Sequence, residues 1–205
     1  MMSNKMNENM PALSVEEIKA LIDNSPFRRS SYNVDIRLKG FIDGLMSYIK
    51  DKNHSDISEV FEAVPAFQRD NDKWTQAMQT KFLENILMGY RTTIMLYELV
   101  PATRYAVYGK CFILDGLQRI TAIYEFMKGR LTPFGMTYDQ LCESKILLRI
   151  GNTVVVRIYA FSTEIEAIEF YISMNENITH SAADILKARN ILNEQLKPKG
   201  VSYDS

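Results

Sequence analysis

Apolar residues recur at intervals of three and four in several separate stretches, the period of helices with one buried face. Leu38, Phe41, Ile42, Leu45, Met46 and Ile49 form one such stripe. A second begins at Trp74, continues through Met78, Phe82, Leu83, Ile86 and Leu87, and stops at Gly89, which predicts a helix of about four turns. Leu117, Ile120, Ile123, Tyr124 and Met127 form a third, running toward Gly129. Ser14-Val15-Glu16-Glu17 fits a capping box with Leu13 and Ile18 as its hydrophobic staple, so a helix is expected to about Asp23. Thr137 to Gln140 fits another box, for a short helix ending near Cys142. Thr163 to Glu166 fits a third, before Ile165, Ile168, Phe170, Tyr171 and Met174, with Asn175 closing the helix. Ser181 to Leu192 is a last helical pattern.

Between these helices the pattern changes to strands. Thr92 to Leu99 and Tyr105 to Leu114, the latter broken near Gly109, read as two strands joined by Pro101 to Arg104. Lys145 to Ile150 and Thr153 to Tyr159 flank Gly151-Asn152, a hairpin signal. The polar start of the chain predicts a leader at residues 1–12, then a helical segment at 13–60, the main domain at 61–192 and a tail at 193–205.

Composition narrows the function classes. With 205 residues, 46% of them apolar, the chain can build one sizeable core. A net charge of −1, from 24 basic and 25 acidic residues, gives no electrostatic case for a general nucleic-acid binder. Cys111 and Cys142 lack the spacing of a zinc site or disulfide framework and read as core thiols. No apolar run reaches the ~20 residues of a membrane span, and no signal peptide pattern opens the chain, so a cytoplasmic protein without membrane partners is expected. His54 and His180 lie in polar stretches and read as solvated, while Phe61, Phe67, Trp74 and Phe82 read as packing.

No Gly-rich Lys-Ser/Thr loop, Cys-x-x-Cys pair, His-containing metal motif or Ser-His-Asp arrangement is evident. Two polar groups stand beside apolar runs instead: Gln68-Arg69, after Val64-Pro65-Ala66-Phe67, and Asp115-x-x-Gln118-Arg119, between the Cys111 to Leu114 strand and the following helix. A strand-turn-helix of this kind sets Asp115 at a strand end and Gln118 and Arg119 in a first helical turn, where free N–H groups and the helix dipole favour an anion. Two guanidinium groups, two amides and one carboxylate suit a polyphosphate, with Asp115 able to hold a divalent ion or polarise a nucleophile. The bland alternative is that Asp115 caps the helix and Arg119 pairs with a surface acid.

The same blocks resemble the N-terminal domain of GmrSD-type modification-dependent restriction endonucleases, a branch of the ParB/sulfiredoxin-like superfamily. Val64-Pro65-Ala66-Phe67-Gln68-Arg69 is similar to the family's Ile-Pro-x-Tyr-Gln-Arg, Trp74 to its following Trp, and Phe82 to Tyr90 to its Leu-x-x-Ser-Ile-Leu-x-Gly-Tyr segment. Asp115-Gly116-Leu117-Gln118-Arg119 resembles the signature Asp-Gly-Gln-Gln-Arg, with Ile120-Thr121-Ala122-Ile123 where the family has Leu-Thr-Thr-Leu. Phe170 to Asn175 and Ser181 to Lys187 resemble later blocks, so the likeness spans roughly Phe61 to Asn190.

This resemblance implies an α+β domain, a small mixed sheet surrounded by helices, at 61–192. It implies binding of nucleoside triphosphate with Mg2+, catalytic roles for Asp115, Gln118 and Arg119, and nucleotide contacts from Gln68, Arg69, Gly116, Arg119, Thr121 and Asn175, with Asp115 as metal ligand. Leu117 replaces the first Gln of the signature, and the chain's end at Ser205 leaves no room for the His-Asn-His nuclease domain that usually follows. The expectation is a stand-alone module of a bacterial or phage restriction or counter-restriction system that binds the nucleotide, with or without hydrolysing it, and acts on DNA through a partner nuclease. The alternatives are a non-catalytic DNA- or protein-binding module acting as a restriction decoy and, with least support, a ParB-like nuclease or phosphotransferase.

Overall fold

The computed structural model describes residues 13–23, 25, 31–50, 56–68, 71, 73–100, 110–148, 152–176 and 182–197. The expected leader, His54, Arg69, the Pro101 to Arg104 connector, the start of the Tyr105 to Leu114 strand, the Gly151 turn, His180 and the end of the tail lie outside these residues.

The described chain runs α1 (Val15–Asp23), β1 (Ser31–Arg37), α2 (Phe41–Ile49), a 3-10 segment (Ile57–Ala63), α3 (Gln76–Leu87), β2 (Thr92–Leu99), β3 (Phe112–Asp115), α4 (Leu117–Met127), a 3-10 turn (Pro133–Gly135), α5 (Tyr138–Glu143), a 3-10 turn (Ile146–Leu148), β4 (Thr153–Phe161), α6 (Glu164–Asn175) and α7 (Ala182–Leu196). The strands form one mixed sheet in the order β1-β4-β2-β3, in which β4 is antiparallel to β1 and parallel to β2, and β3 is antiparallel to β2. The architecture is α+β, as expected.

Alternation along the strands divides the interior in two. Ile94 and Leu96 of β2, Ile113 of β3 and Val154, Val156 and Ile158 of β4 join a core with the apolar stripes of α2, α3 and α4. Tyr97, Leu114, Tyr159 and Phe161 point into a second, aromatic core with Phe170 and Tyr171 of α6 and Ile185 and Ala188 of α7. Phe67 belongs to that second core, 5.3 Å from the Tyr171 ring, whereas Trp74 meets Phe82 at 5.2 Å beside the first. The segment joining Phe67 to Trp74 is thus anchored to a different core at each end.

Local signals held where side chains satisfy helix ends. Ser14 and Glu17 exchange their bonds before α1, and Thr137 and Gln140 make the full box before α5. The third box is half made: Thr163 Oγ1 accepts from the Glu166 N–H, but Glu166 reaches back to the Ser162 N–H instead of to Thr163. α3 starts at Gln76 behind a Thr75 cap, with Met78 exposed, and α7 continues past Leu192 to Leu196. α1 buries none of its residues.

Two strand readings are corrected. Ser31–Arg37 is a strand inside the segment expected to be helical, and it pairs residue by residue with β4. Lys145 to Leu148 is a turn and a 3-10 turn, not one arm of a hairpin. Leu147 is drawn into the first core and the Asn152 amide donates to the Ile146 carbonyl at 2.8 Å, which holds the segment folded back; β4 finds its partners in β1 and β2 instead.

α2 crosses close to β1 because Gly44 has no side chain: a Cβ there would stand 2.8 Å from Ile36 Cγ2. Gly44→Ala should therefore destabilise by about 1 to 2 kcal/mol, although alanine normally favours a helix by up to ~1 kcal/mol. Adding Ile36→Ala should recover the helix benefit, and urea denaturation of the two single variants and the double would show stabilities that simply add if the contact is absent.

Candidate functional site

β3 ends at Asp115, Gly116 turns the chain, and α4 begins at Leu117, so Gln118 and Arg119 occupy the first helical turn as the sequence predicts. Gly116 adopts φ 101°, and a Cβ on it would lie 2.9 Å from Ile94 Cγ1, so the turn needs glycine on two counts. Gly116 is also the N-cap, and no side chain bonds to the helix from it. Asp115 is accordingly not the cap, which corrects half of the bland alternative, and among the described residues the first-turn N–H groups have no side-chain cap.

The other half of that alternative takes an unexpected form: Arg119 pairs with an acid, but the acid is Asp115. Arg119 Nη1 donates to Asp115 Oδ2 at 3.1 Å and to the Thr93 carbonyl at 2.7 Å, tying α4 to β2. The pair is about three-quarters buried on the Asp side and two-thirds on the Arg side. The guanidinium keeps Nε and Nη2 without a protein partner among the described residues. The Met95/Leu96 step of β2, opposite the end of β3, carries a register shift, an irregularity of the kind that re-aims backbone near sites.

Both glutamines are almost wholly buried, each at 4% exposure. Gln68 Nε2 donates to the Ile113 carbonyl at 2.6 Å, and Gln118 Oε1 accepts from the Trp74 N–H at 3.1 Å. Asn71 Nδ2 donates to Thr121 Oγ1 at 2.6 Å, and Thr121 Oγ1 in turn donates to the Leu117 carbonyl at 2.9 Å. The segment from Gln68 to Trp74 is therefore fastened to the β3–α4 junction at its start, middle and end.

Two spaces open at this junction. A small cavity of about 30 Å³ is lined by Gln68, Trp74, Asp115, Gly116, Leu117, Gln118, Arg119 and Tyr171. A wider groove of about 330 Å³ is lined by Phe61, Val64, Pro65, Ala66, Gln68, Asn71, Leu117 and Lys187, so Gln68 and Leu117 stand on both. The structure thus brings Gln68, Asp115, Gly116, Gln118 and Arg119 together. Thr121 is engaged in the Asn71 contact and lines neither space, and Asn175 is buried with its amide bonded to the Tyr171 carbonyl at 2.9 Å. Asn71, Tyr171 and Lys187 were missed as site residues; the first lies in a polar interruption and the others on helices whose spacing signals only packing.

Cys111 is buried just before β3, and burial pushes its thiol up to about 12. It stays a protonated core thiol, as its sequence context suggested. Among the described residues no cluster of three or more His, Cys, Asp and Glu could hold a metal, and no helix is long and apolar enough to cross a membrane.

Fold and site together define a small α+β domain with an amide- and guanidinium-lined pocket at a strand-turn-helix junction. Residues 49–153 match the family model for the N-terminal domain of the GmrSD restriction endonuclease. That span is just over half of the 205 residues, and the chain belongs to this family, which associates it with restriction systems. No curated protein and no solved structure matches it.

Arg119→Ala should leave a cooperative fold that is weaker by about 1 to 2 kcal/mol, since one charge-assisted bond to a carbonyl and one partly exposed ion pair are lost. A double-mutant cycle with Asp115→Ala should give a coupling of about 1 kcal/mol or less. Denaturation midpoints read both, and loss of cooperative unfolding in Arg119→Ala would make the residue a structural keystone rather than a site residue.

Proposed function

We propose that this domain binds a nucleoside triphosphate at the β3–α4 junction and hydrolyses it, as the regulatory module of a restriction or counter-restriction system that acts on DNA through a partner nuclease. The observation that carries the reading is the first turn of α4, without a side-chain cap among the described residues, lining the smaller cavity and meeting at Leu117 a groove of about 330 Å³, a size within the range of small-ligand sites. The first-turn N–H groups and the Nε and Nη2 of Arg119, unengaged among the described residues, supply phosphate donors from the smaller cavity, while Phe61, Val64, Pro65 and Ala66 supply an apolar wall for a base in the groove. We also place the fold, on the order of the motif blocks, in the ParB/sulfiredoxin-like superfamily.

Magnesium fits this site in one way. Asp115 is a single carboxylate already held by Arg119, so the ion would be held by Asp115 together with the phosphates that carry it in. It would offset phosphate charge there. The residues of the chain do the rest: Arg119 and the first turn of α4 bind and orient the phosphates.

The departure at Leu117 is compatible with this reading, because Leu117 is only 6% exposed and packs in the first core with Ile120 and Ile123. It does not displace Gln118 or Arg119 from the cavity. The same packing favours the second reading, a module that binds without turnover, since no polar group replaces the missing amide.

Trp74 is the only tryptophan and lines the cavity, so its fluorescence should change on titration with the bound NTP. A triphosphate at ~100 times its Kd should stabilise the fold by about 2.7 kcal/mol, read as a raised Tm. Absence of both responses with all four NTPs and magnesium would sink the nucleotide reading. Steady-state phosphate release should be detectable in wild type, increased in kcat by Leu117→Gln with little change in affinity, and lost in Asp115→Ala. Release that is absent from wild type and Leu117→Gln alike, or undiminished in Asp115→Ala, would leave binding without hydrolysis.

A further inference from the structure

Two apolar surfaces of this chain lie open to solvent, and each has a physical reason to be covered. The first is α1. Val15, Ile18, Leu21 and Ile22 fall on one side of it at helical spacing, and every residue from Leu13 to Asp23 is exposed. A helix of nine residues is marginal in water by itself, because most helical stability in proteins comes from packing an apolar face. The Ser14 and Glu17 box satisfies one end of α1 but leaves that face without cover.

The second surface lies where α3 ends. Met88 and Tyr90 are 63% and 61% exposed, and Phe134 is 57% exposed. The Phe134 N–H donates to Glu84 Oε1 at 3.4 Å, and Met88 follows Glu84 by one helical turn, so Phe134 is tied to the same half of α3. Phe134 has φ 53° and ψ 24°, the left-handed region that a bulky side chain rarely adopts. Burial does not hold its ring there, and glycine or asparagine would take that backbone with less strain. Strain of this kind collects where a side chain is presented to something else. Arg91, exposed next to Tyr90, has no hydrogen bond or ion pair among the described residues. Aromatic residues, Met and Arg together are the composition of an interface centre.

Charge selects the occupant. α1 carries Glu16, Glu17 and Asp23 against a single lysine, Lys19, whereas the end of α3 offers Arg91 and Lys81, with Glu84 already paired to Lys81. An apolar stripe flanked by acids thus matches an apolar patch flanked by bases. Within one chain α1 covers nothing with its stripe, since it is exposed along its whole length. A second copy supplies both halves of the contact. We infer that the chain forms a dimer in which α1 of each copy lies on the patch of Met88, Tyr90 and Phe134 of the other, with Arg91 facing the acids of α1. The reciprocal arrangement makes the contact twice about a two-fold axis and closes the assembly at two copies.

The test is sedimentation equilibrium of the full chain. Wild type should pass from monomer to dimer between about 1 µM and 1 mM, the range of weak reversible complexes. Ile18→Gln combined with Leu21→Gln removes the stripe with a residue that favours helix, and Phe134→Gly removes the ring while relieving the left-handed backbone. Each should raise the dissociation constant roughly tenfold or more. An equimolar mixture of the two variants should dimerise more tightly than either variant alone, because the mixed pair keeps one intact contact between α1 and the patch. Wild type that stays monomeric throughout that range overturns the proposal and leaves both surfaces to a different protein. Variants that associate as wild type does place any dimer contact elsewhere, and a mixture no tighter than its components shows that α1 and the patch do not meet; either result overturns it too. If Phe134→Gly does not fold, Phe134→Asn, which also tolerates the left-handed backbone, is held to the same criteria.

Discussion

Because Gly116 carries no side chain, the turn between β3 and α4 can press against Ile94 of β2, at a distance where any Cβ would collide. That close approach sets the start of α4 beside the sheet, where Arg119 can reach the Thr93 carbonyl and Asp115 together. It also sets Gln118 within reach of the Trp74 N–H, which closes the Gln68 to Trp74 segment over the junction. If the turn moved outward by the width of a methyl group, these bonds would lengthen together. The site is therefore a property of one backbone contact more than of any single polar side chain.

Electrostatics point the same way. The chain has almost no net charge, and the site spends its one described carboxylate on its one described guanidinium group. An anion at this place would be met by backbone N–H dipoles, the remaining Arg119 donors and amides, groups that hold their orientation. Such a site is selective by direction more than by field. That is a different arrangement from a basic patch, whose attraction falls steeply with salt.

What the sequence made legible follows from how local each signal is. The β3–α4 junction was readable because an apolar run, a glycine and a helical stripe meet within a dozen residues, and the Ser14 and Thr137 boxes because a cap and its partner are three residues apart. β1 was not readable: as an edge strand it alternates only weakly, with Val34 and Ile36 half-buried and its other residues exposed, so its identity comes from β4, more than a hundred residues away. The false hairpin at Gly151-Asn152 failed for the converse reason. A strong turn signal was overruled when Leu147 found the core and the Asn152 amide found the Ile146 carbonyl. The groove wall contributed by Lys187 was illegible because it depends on α7 packing against α6, which no local pattern encodes.

Leu117 shows how a departure from a family signature can be read physically. It stands at the first position of α4, where one side of the residue faces the first core and the other borders both spaces at the junction. An amide there would have to leave part of its polar end against Ile120 and Ile123 or turn it into the groove. A leucine does neither; it completes the apolar stripe and gives both groove and cavity an apolar lining beside Gln68. The consequence is that the polar work of the junction falls on groups fixed by the backbone, Gln68 through Ile113 and Gln118 through Trp74, and not on a side chain free to choose among rotamers.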